Sequence, residues 1–237
     1  MIASLALGAI LLVEKGPFEH GRAPMSPQTF VLMQSFTEPG ESEPADSIVF
    51  DQEFKARAID SGFAIEEKST LVGHRVDGQR IDLPRDVKPM TTKAQWDERG
   101  MVTPVGFEAS QAIDFRLGRL RWWMTPVDPL AKEWQVEIAP DKERDLPGIR
   151  YSFKIASQTK VGAQFRVTLG VDAQEFDGPE NLSVKGSIVL DAGQKITVVS
   201  GEWTTPSAPL PGGAEARYRL VQTLRARLAG ATGTGRL

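Results

Sequence analysis

Apolar residues recur at every second position through most of this chain, and that period confines it to a sheet with one buried face. Phe165-Arg166-Val167-Thr168-Leu169-Gly170-Val171 is the clearest instance. Phe30, Leu32 and Phe36, then Ile48, Phe50 and Phe54, then Phe63 and Ile65 repeat it earlier in the chain. Trp134, Val136 and Ile138 alternate with Gln135 and Glu137, and Tyr151, Phe153 and Ile155 alternate with Ser152 and Lys154. Leu182, Val184, Ile188 and Leu190 follow, and Ile196 with Val198 answers them across Asp191-Ala192-Gly193. Apolar runs separated by such turn signals read as antiparallel hairpins. The expectation is a mostly β fold, one curved antiparallel domain over residues 14–228 with about ten strands.

Punctuators divide the strands. Val76-Asp77-Gly78 and Phe176-Asp177-Gly178-Pro179 read as turns in which glycine supplies the positive φ. Ser157 to Lys160 reads as a polar hairpin turn, and residues 38–46, 140–148 and 205–213 read as loops. Residues 229–237 read as a frayed tail. One short helix is expected near residues 108–121, where Ala112, Phe115 and Leu120 approach helical spacing. Glu215 to Leu228 fits a helix through Val221, Leu224 and Leu228. It also fits a strand, with Arg217, Arg219, Arg225 and Arg227 on one side, and is read as the strand closing an open sheet, its basic face discouraging further pairing.

An internal repeat is visible between residues 48–107 and 134–203. Phe54-Lys55 followed by Gly62 parallels Phe153-Lys154 followed by Gly162, at offsets of 99 and 100 residues, with a third correspondence between Gly100 and Gly193 at 93. Drift of that size requires changes in the connections.

Composition excludes several function classes. The 237 residues carry 28 basic and 31 acidic side chains, a formal net charge of −3, which argues against binding a polyanion by bulk charge. At 41% hydrophobic and 25% charged the chain is neither disordered nor polytopic. The absence of cysteine removes disulfides, thiolate metal sites, thiol nucleophiles and a lipid-anchoring cysteine. Two histidines, His20 and His74, lie far apart and support no metal site; His74 reads as a surface loop residue. Ile2 to Val13 is an apolar run too short to span a bilayer and of the length of the core of a secretory signal. Its flanks lack a basic residue before it and a small-residue cleavage site after it. It is read as an export segment over residues 1–13, the alternative being a buried element of the fold.

The strand–Gly–strand units, with endings such as Val189-Leu190-Asp191-Ala192-Gly193, resemble bacterial envelope proteins of the open half-barrel type, the group that contains the periplasmic lipoprotein carriers. Met124-Thr125-Pro126-Val127-Asp128-Pro129-Leu130-Ala131-Lys132-Glu133-Trp134 is similar to a passage of uncharacterised secreted families of that kind, with Ala131-Lys132-Glu133 where Gly-Asp is expected. The likeness spans Phe50 to Leu224 in pattern and carries no site residue with it. It implies a curved antiparallel sheet wrapped around a helix or an apolar cavity, in the periplasm or outside the cell, with a lipid or other apolar molecule as ligand or an envelope protein as partner.

The search for chemistry returns little. Ser157-Gln158-Thr159-Lys160 matches Ser-x-x-Lys but lacks the helix start that such nucleophiles use. No G-x-S-x-G, H-E-x-x-H, phosphate loop or dinucleotide fingerprint occurs, so no catalytic residue, cofactor or metal is assigned. Paired carboxylates, which are set by space rather than by spacing, leave a hydrolase as the least favoured reading. Arg116, Arg119 and Arg121 are too few for nucleic acid. Asn181 fits a glycosylation sequon and is read as a turn residue. Trp122, Trp123 and Met124 are the candidate ligand-binding residues: adjacent tryptophans in a strand face opposite sides, so one ring needs a cover other than the main core. Trp96, Trp134 and Trp203 are expected at strand ends. The reading is a non-enzymatic envelope protein holding an apolar ligand in a curved sheet, without a transmembrane span; the alternative is a structural or interaction module whose core is self-filled.

Overall fold

The computed structural model describes residues 28–60, 62–96, 102–105, 132–143, 145–178, 181–192, 196–209 and 216–227. The expected helix near 108–121, the segment 1–13, the tail 229–237 and Trp122, Trp123 and Met124 lie outside them.

Twelve strands are described: β1 Gln28–Thr37, β2 Asp46–Ile59, β3 Gly62–Val76, β4 Gln79–Arg80, β5 Met90–Trp96, β6 Val102–Pro104, β7 Glu133–Ile138, β8 Gly148–Val161, β9 Gln164–Phe176, β10 Ser183–Ala192, β11 Ile196–Pro209 and β12 Arg217–Ala226. They form one open, curved antiparallel sheet, as the alternation requires. Its order is β6-β5-β3-β2-β1-β12-β11-β10-β9-β8-β7, with β4 paired to β3. The chain therefore starts in the middle, proceeds to the β6 edge, resumes at the β7 edge and returns to the middle.

Period two sorts the side chains cleanly. Phe30, Leu32 and Phe36 of β1, Leu220 and Leu224 of β12, Trp203 of β11 and Val167, Leu169 and Val171 of β9 are all buried. Residues directly opposite across an antiparallel pair share a face, so the register places these on one inner face: Leu32 pairs with Leu224, and Phe36 with Leu220. The opposite face is charged. There Arg166 grips Asp191 through two hydrogen bonds of 2.8 Å, which hold the Asp191 carboxyl below the usual carboxylate range against the smaller opposing effect of burial. Lys154 and Glu133 meet at 2.6 Å, and that hydrogen bond lowers the Glu133 carboxyl in the same way.

Several local expectations change. The Arg217–Ala226 segment is a strand, but it lies between β1 and β11 and closes no edge; Arg219 and Arg225 point to the solvated face in the centre of the sheet. Ser157 to Lys160 belongs to β8 and not to a turn, and β8 continues to Val161, where Gly162 at φ +62° makes the turn. Thr205 to Pro209 belongs to β11, which accommodates Pro206 at a register shift between Thr205 and Ala208, where the ladder is already interrupted. His74 lies in β3, its Nε2 2.9 Å from Asp46 Oδ1. Trp203 is in mid-strand. At Asp77-Gly78 both residues take positive φ, +48° and +75°, as a type I′ turn needs. In the Phe176–Pro179 turn it is Asp177, at +53°, that takes the left-handed conformation. Gly178 serves there by its size, since a Cβ would stand 2.6 Å from Pro147 Cβ. Asn181 is a turn residue at φ +38° and accepts a hydrogen bond from the Gly178 N–H at 3.3 Å.

Phe54 and Phe153 are both buried on the inner face, of β2 and β8; Gly162 opens the β8–β9 turn, whereas Gly62 follows the β2–β3 turn as the first residue of β3, each at positive φ. β8 carries a register shift between Ile155 and Ser157, one residue inserted as a bulge at Ala156.

Where β12 ends, a side chain completes the ladder. The Gln28 amide donates to the Val198 carbonyl at 3.1 Å and accepts from the Val198 N–H at 3.0 Å, so it stands in for a peptide group of a strand that has stopped. Replacing Gln28 with alanine leaves both partly buried groups unpaired. The expected cost is about 1–2 kcal/mol, read as a lower urea midpoint at unchanged slope, together with faster exchange of the Val198 amide.

Candidate functional site

One transverse row of the inner face runs from β7 to β3. Its members are paired one to the next: Trp134 with Phe153, Phe153 with Val171, Val171 with Gly186, Gly186 with Trp203, Trp203 with Gln222, Gln222 with Gln34, Gln34 with Ile48, and Ile48 with His74. At about 4.8 Å per strand the row is roughly 38 Å long. Its chemistry changes along its length. From Trp134 to Trp203 it is apolar and aromatic; from Gln222 to His74 it is interrupted by polar side chains with hydrogen-bonding atoms.

Rings and glycines build the apolar half. Trp134 stacks on Phe153 with centroids 5.3 Å apart and planes 22° from parallel, and Tyr151 stacks on Phe153 at 5.7 Å and 13°. Trp203 lies against two glycines, and a Cβ on Gly201 would meet its ring at 2.2 Å. Wide rings on neighbouring strands fit only because Gly186 and Gly201 withdraw their side chains. Burial is nearly complete in the middle of the sheet, where Trp203 is 1% exposed and Val184, Val198, Leu220 and Leu224 are at 0%, while Trp134 and Val136 at the β7 edge are only partly buried. Toward β2 and β3 the face opens, and Ile48, Phe50, Ala56 and Phe63 are only partly buried against the core.

Buried polar groups cluster in the second half. Gln52 donates from Nε2 to Glu67 Oε1 at 2.7 Å and to Ser69 Oγ at 3.1 Å, forming a satisfied trio on the β2–β3 pair. Gln222 differs. It is 1% exposed, and neither its Nε2 nor its Oε1 has a hydrogen-bond partner. Gln34, buried beside it, is its cross-strand neighbour. These glutamines are legible in the sequence in retrospect, since Leu220-x-Gln222-x-Leu224 and Leu32-x-Gln34-x-Phe36 put an amide where the alternation calls for a hydrocarbon.

The sequence candidates for chemistry disperse. Ser157 and Lys160 stand three residues apart in β8, hence on opposite faces, so the lysine does not serve the serine. His74 meets a single carboxylate, that of Asp46. Among the described residues no group of three or more His, Cys, Asp or Glu side chains converges to hold a metal ion, and no helix is long and apolar enough to cross a membrane.

No protein-family model matches the sequence, and no curated protein is significantly similar to it. Two solved structures align with it. One is a protein inferred to be exported, with a YmcC-like fold, from Bacteroides fragilis: 12% identity over 87% of this chain and 100% of its own, TM-score 0.29. The other is inferred to be a lipoprotein, from Parabacteroides distasonis: 11% identity over 86% and 97%, TM-score 0.30. At these identities and TM-scores neither says what this chain binds or where it acts.

Proposed function

We propose that the protein is a non-enzymatic binder of an amphipathic lipid or similar apolar molecule, held along the inner face of the sheet, and that it works in the cell envelope or outside the cell. The observation that carries the reading is the transverse row, apolar from Trp134 to Trp203 and interrupted by polar side chains from Gln222 to His74. An amphiphile has the same division. Ile48, Phe50 and Phe63, partly exposed beside the polar half, give an acyl chain apolar surface to cover. Each methylene removed from water contributes about 0.8 kcal/mol, so ten of them offset a typical association cost of about 4–15 kcal/mol only in part or narrowly. A longer acyl chain, or hydrogen bonds to the head, is needed to reach micromolar affinity. The apolar run Ile2–Val13 is the sequence feature behind the proposed location.

A second reading, an interaction module with a self-filled core, draws on the complete burial of inner-face side chains such as Ile149, Val167, Val184, Val198 and Leu220. Extraction of the purified protein with organic solvent separates the two. The expected result is acyl lipid recovered in near-stoichiometric amount, with titration by a short-chain amphiphile shifting tryptophan emission. An extract free of lipid and an emission spectrum indifferent to amphiphile leave the interaction module as the function.

A further inference from the structure

The charges of the inner face are distributed unevenly, and the distribution bears on which amphiphile fits. Arg150, Lys154, Arg166, Lys185, Arg219 and Arg225 all alternate away from the buried positions of their strands. Lys160 is the exception among the described strands, and it is exposed near the β8–β9 turn. What the inner face does carry is acidic or neutral. Glu67 is bound by Gln52, Asp46 is paired with His74, and the buried Glu175 accepts from the Leu182 N–H at 3.0 Å. Among the described residues, a carboxylate or phosphate head brought to the Gln222–Gln34 step meets no lysine or arginine on this face, and loses its hydration without compensation.

Two buried amides on the same face give the second half of the argument. Gln52 has its partners within the fold, whereas Gln222, more deeply buried, has none on either polar atom. A buried amide is normally satisfied. Its donor and acceptor lie side by side and match a group that offers an acceptor and a donor together. We propose that the Gln222–Gln34 step of the row is the head-group subsite, and that it takes an uncharged hydrogen-bonding head with both a donor and an acceptor, the hydroxyl or amide of a neutral acyl lipid. This rests on the lipid-binding reading above and narrows it to one class of ligand. Ile48, the next member of the row and only partly buried, is the side from which the head reaches Gln34.

The test compares two probes with the same ten-carbon chain, glycerol monodecanoate and decanoate, by titration calorimetry with the delipidated full chain at pH 7.5, where decanoate is ionised. The neutral probe is expected to bind at least tenfold more tightly. Gln222→Leu is expected to weaken the neutral probe about tenfold and to leave decanoate within twofold. Equal affinities, or tighter binding of decanoate, overturn the head-group inference while the lipid-binding reading stands. A Gln222→Leu protein that keeps the wild-type preference overturns it as well, and assigns the buried amide to bound water alone. Binding of neither probe removes both readings.

Discussion

Replacing Trp203 with alanine is expected to destabilise the protein by about 3–5 kcal/mol, the range for truncating a large buried aromatic. For a chain of this length that lowers the melting temperature by on the order of 10 °C. Trp203 is the largest of the side chains that are almost wholly buried, and it sits in mid-row between the aromatic and the polar halves of the inner face. The residues against its ring, Gly186 and Gly201, have no side chain with which to fill the space it would leave. Collapse of the cavity is therefore restricted to backbone movement in a continuous sheet, which places the cost at the upper end. Urea unfolding followed by circular dichroism measures it. A loss below about 1.5 kcal/mol, the level of a volume-conserving swap, would show that the strands close over the gap and that the row is plastic at its centre. Trp203→Phe should recover about half of the loss, because a ring of the same shape class returns to the same slot.

The second large effect belongs to Gly186→Ala. A Cβ at Gly186 would stand 2.1 Å from the Glu202 carbonyl oxygen and 2.8 Å from Trp203 Cα, both backbone atoms. At Gly201 the contacts at 2.2 and 2.8 Å are all with the Trp203 ring. Each substitution overpacks the core, at a cost of about 1–3 kcal/mol and occasionally more, but the relief available differs. In a Trp203→Ala background, Gly201→Ala should become nearly free. Gly186→Ala should stay costly, because trimming the indole does not move the neighbouring strand. A double-mutant cycle reads this as a coupling of about 1–3 kcal/mol between positions 201 and 203. For positions 186 and 203 it should be several times smaller. Equal couplings would mean that the Gly186 contact is with the ring after all.

Alternation alone carried most of the fold. Phe30, Leu32 and Phe36, or Val167, Leu169 and Val171, fix both the strand and the face that each side chain takes. Alternation does not say which strand lies alongside which, and this is why Arg217 to Ala226 read as an outer strand when it is central. Nor does it see bulges. Pro206 looks like a loop residue until the β11 register shift supplies a place where its missing N–H costs nothing. The polar run Ser157 to Lys160 looks like a turn because a solvated hairpin end needs no apolar period. The site was the least legible part. The aromatic candidates Trp122, Trp123 and Met124 fall outside the described residues. The residues that distinguish the row, Gln34 and Gln222, come from distant parts of the chain and become neighbours only through the β1–β12 pairing.

That same pairing sets an order of events. Every other strand ladder in the described sheet joins strands that are consecutive or nearly so in the chain, and each can close soon after it is made. β1 and β12 are the first and last of the described strands, and Phe30 lies opposite Ala226. The molecule is in effect one uninterrupted meander, β7 through β12 and then β1 through β6, cut and rejoined as a circular permutation. In this order of synthesis two partial meanders form early, each with a hydrophobic face and an unsatisfied edge, and they wait for the final strand to join them. The seam that brings Gln34 beside Gln222 is thus also the last to form, so the inner face is continuous only once β12 has been made.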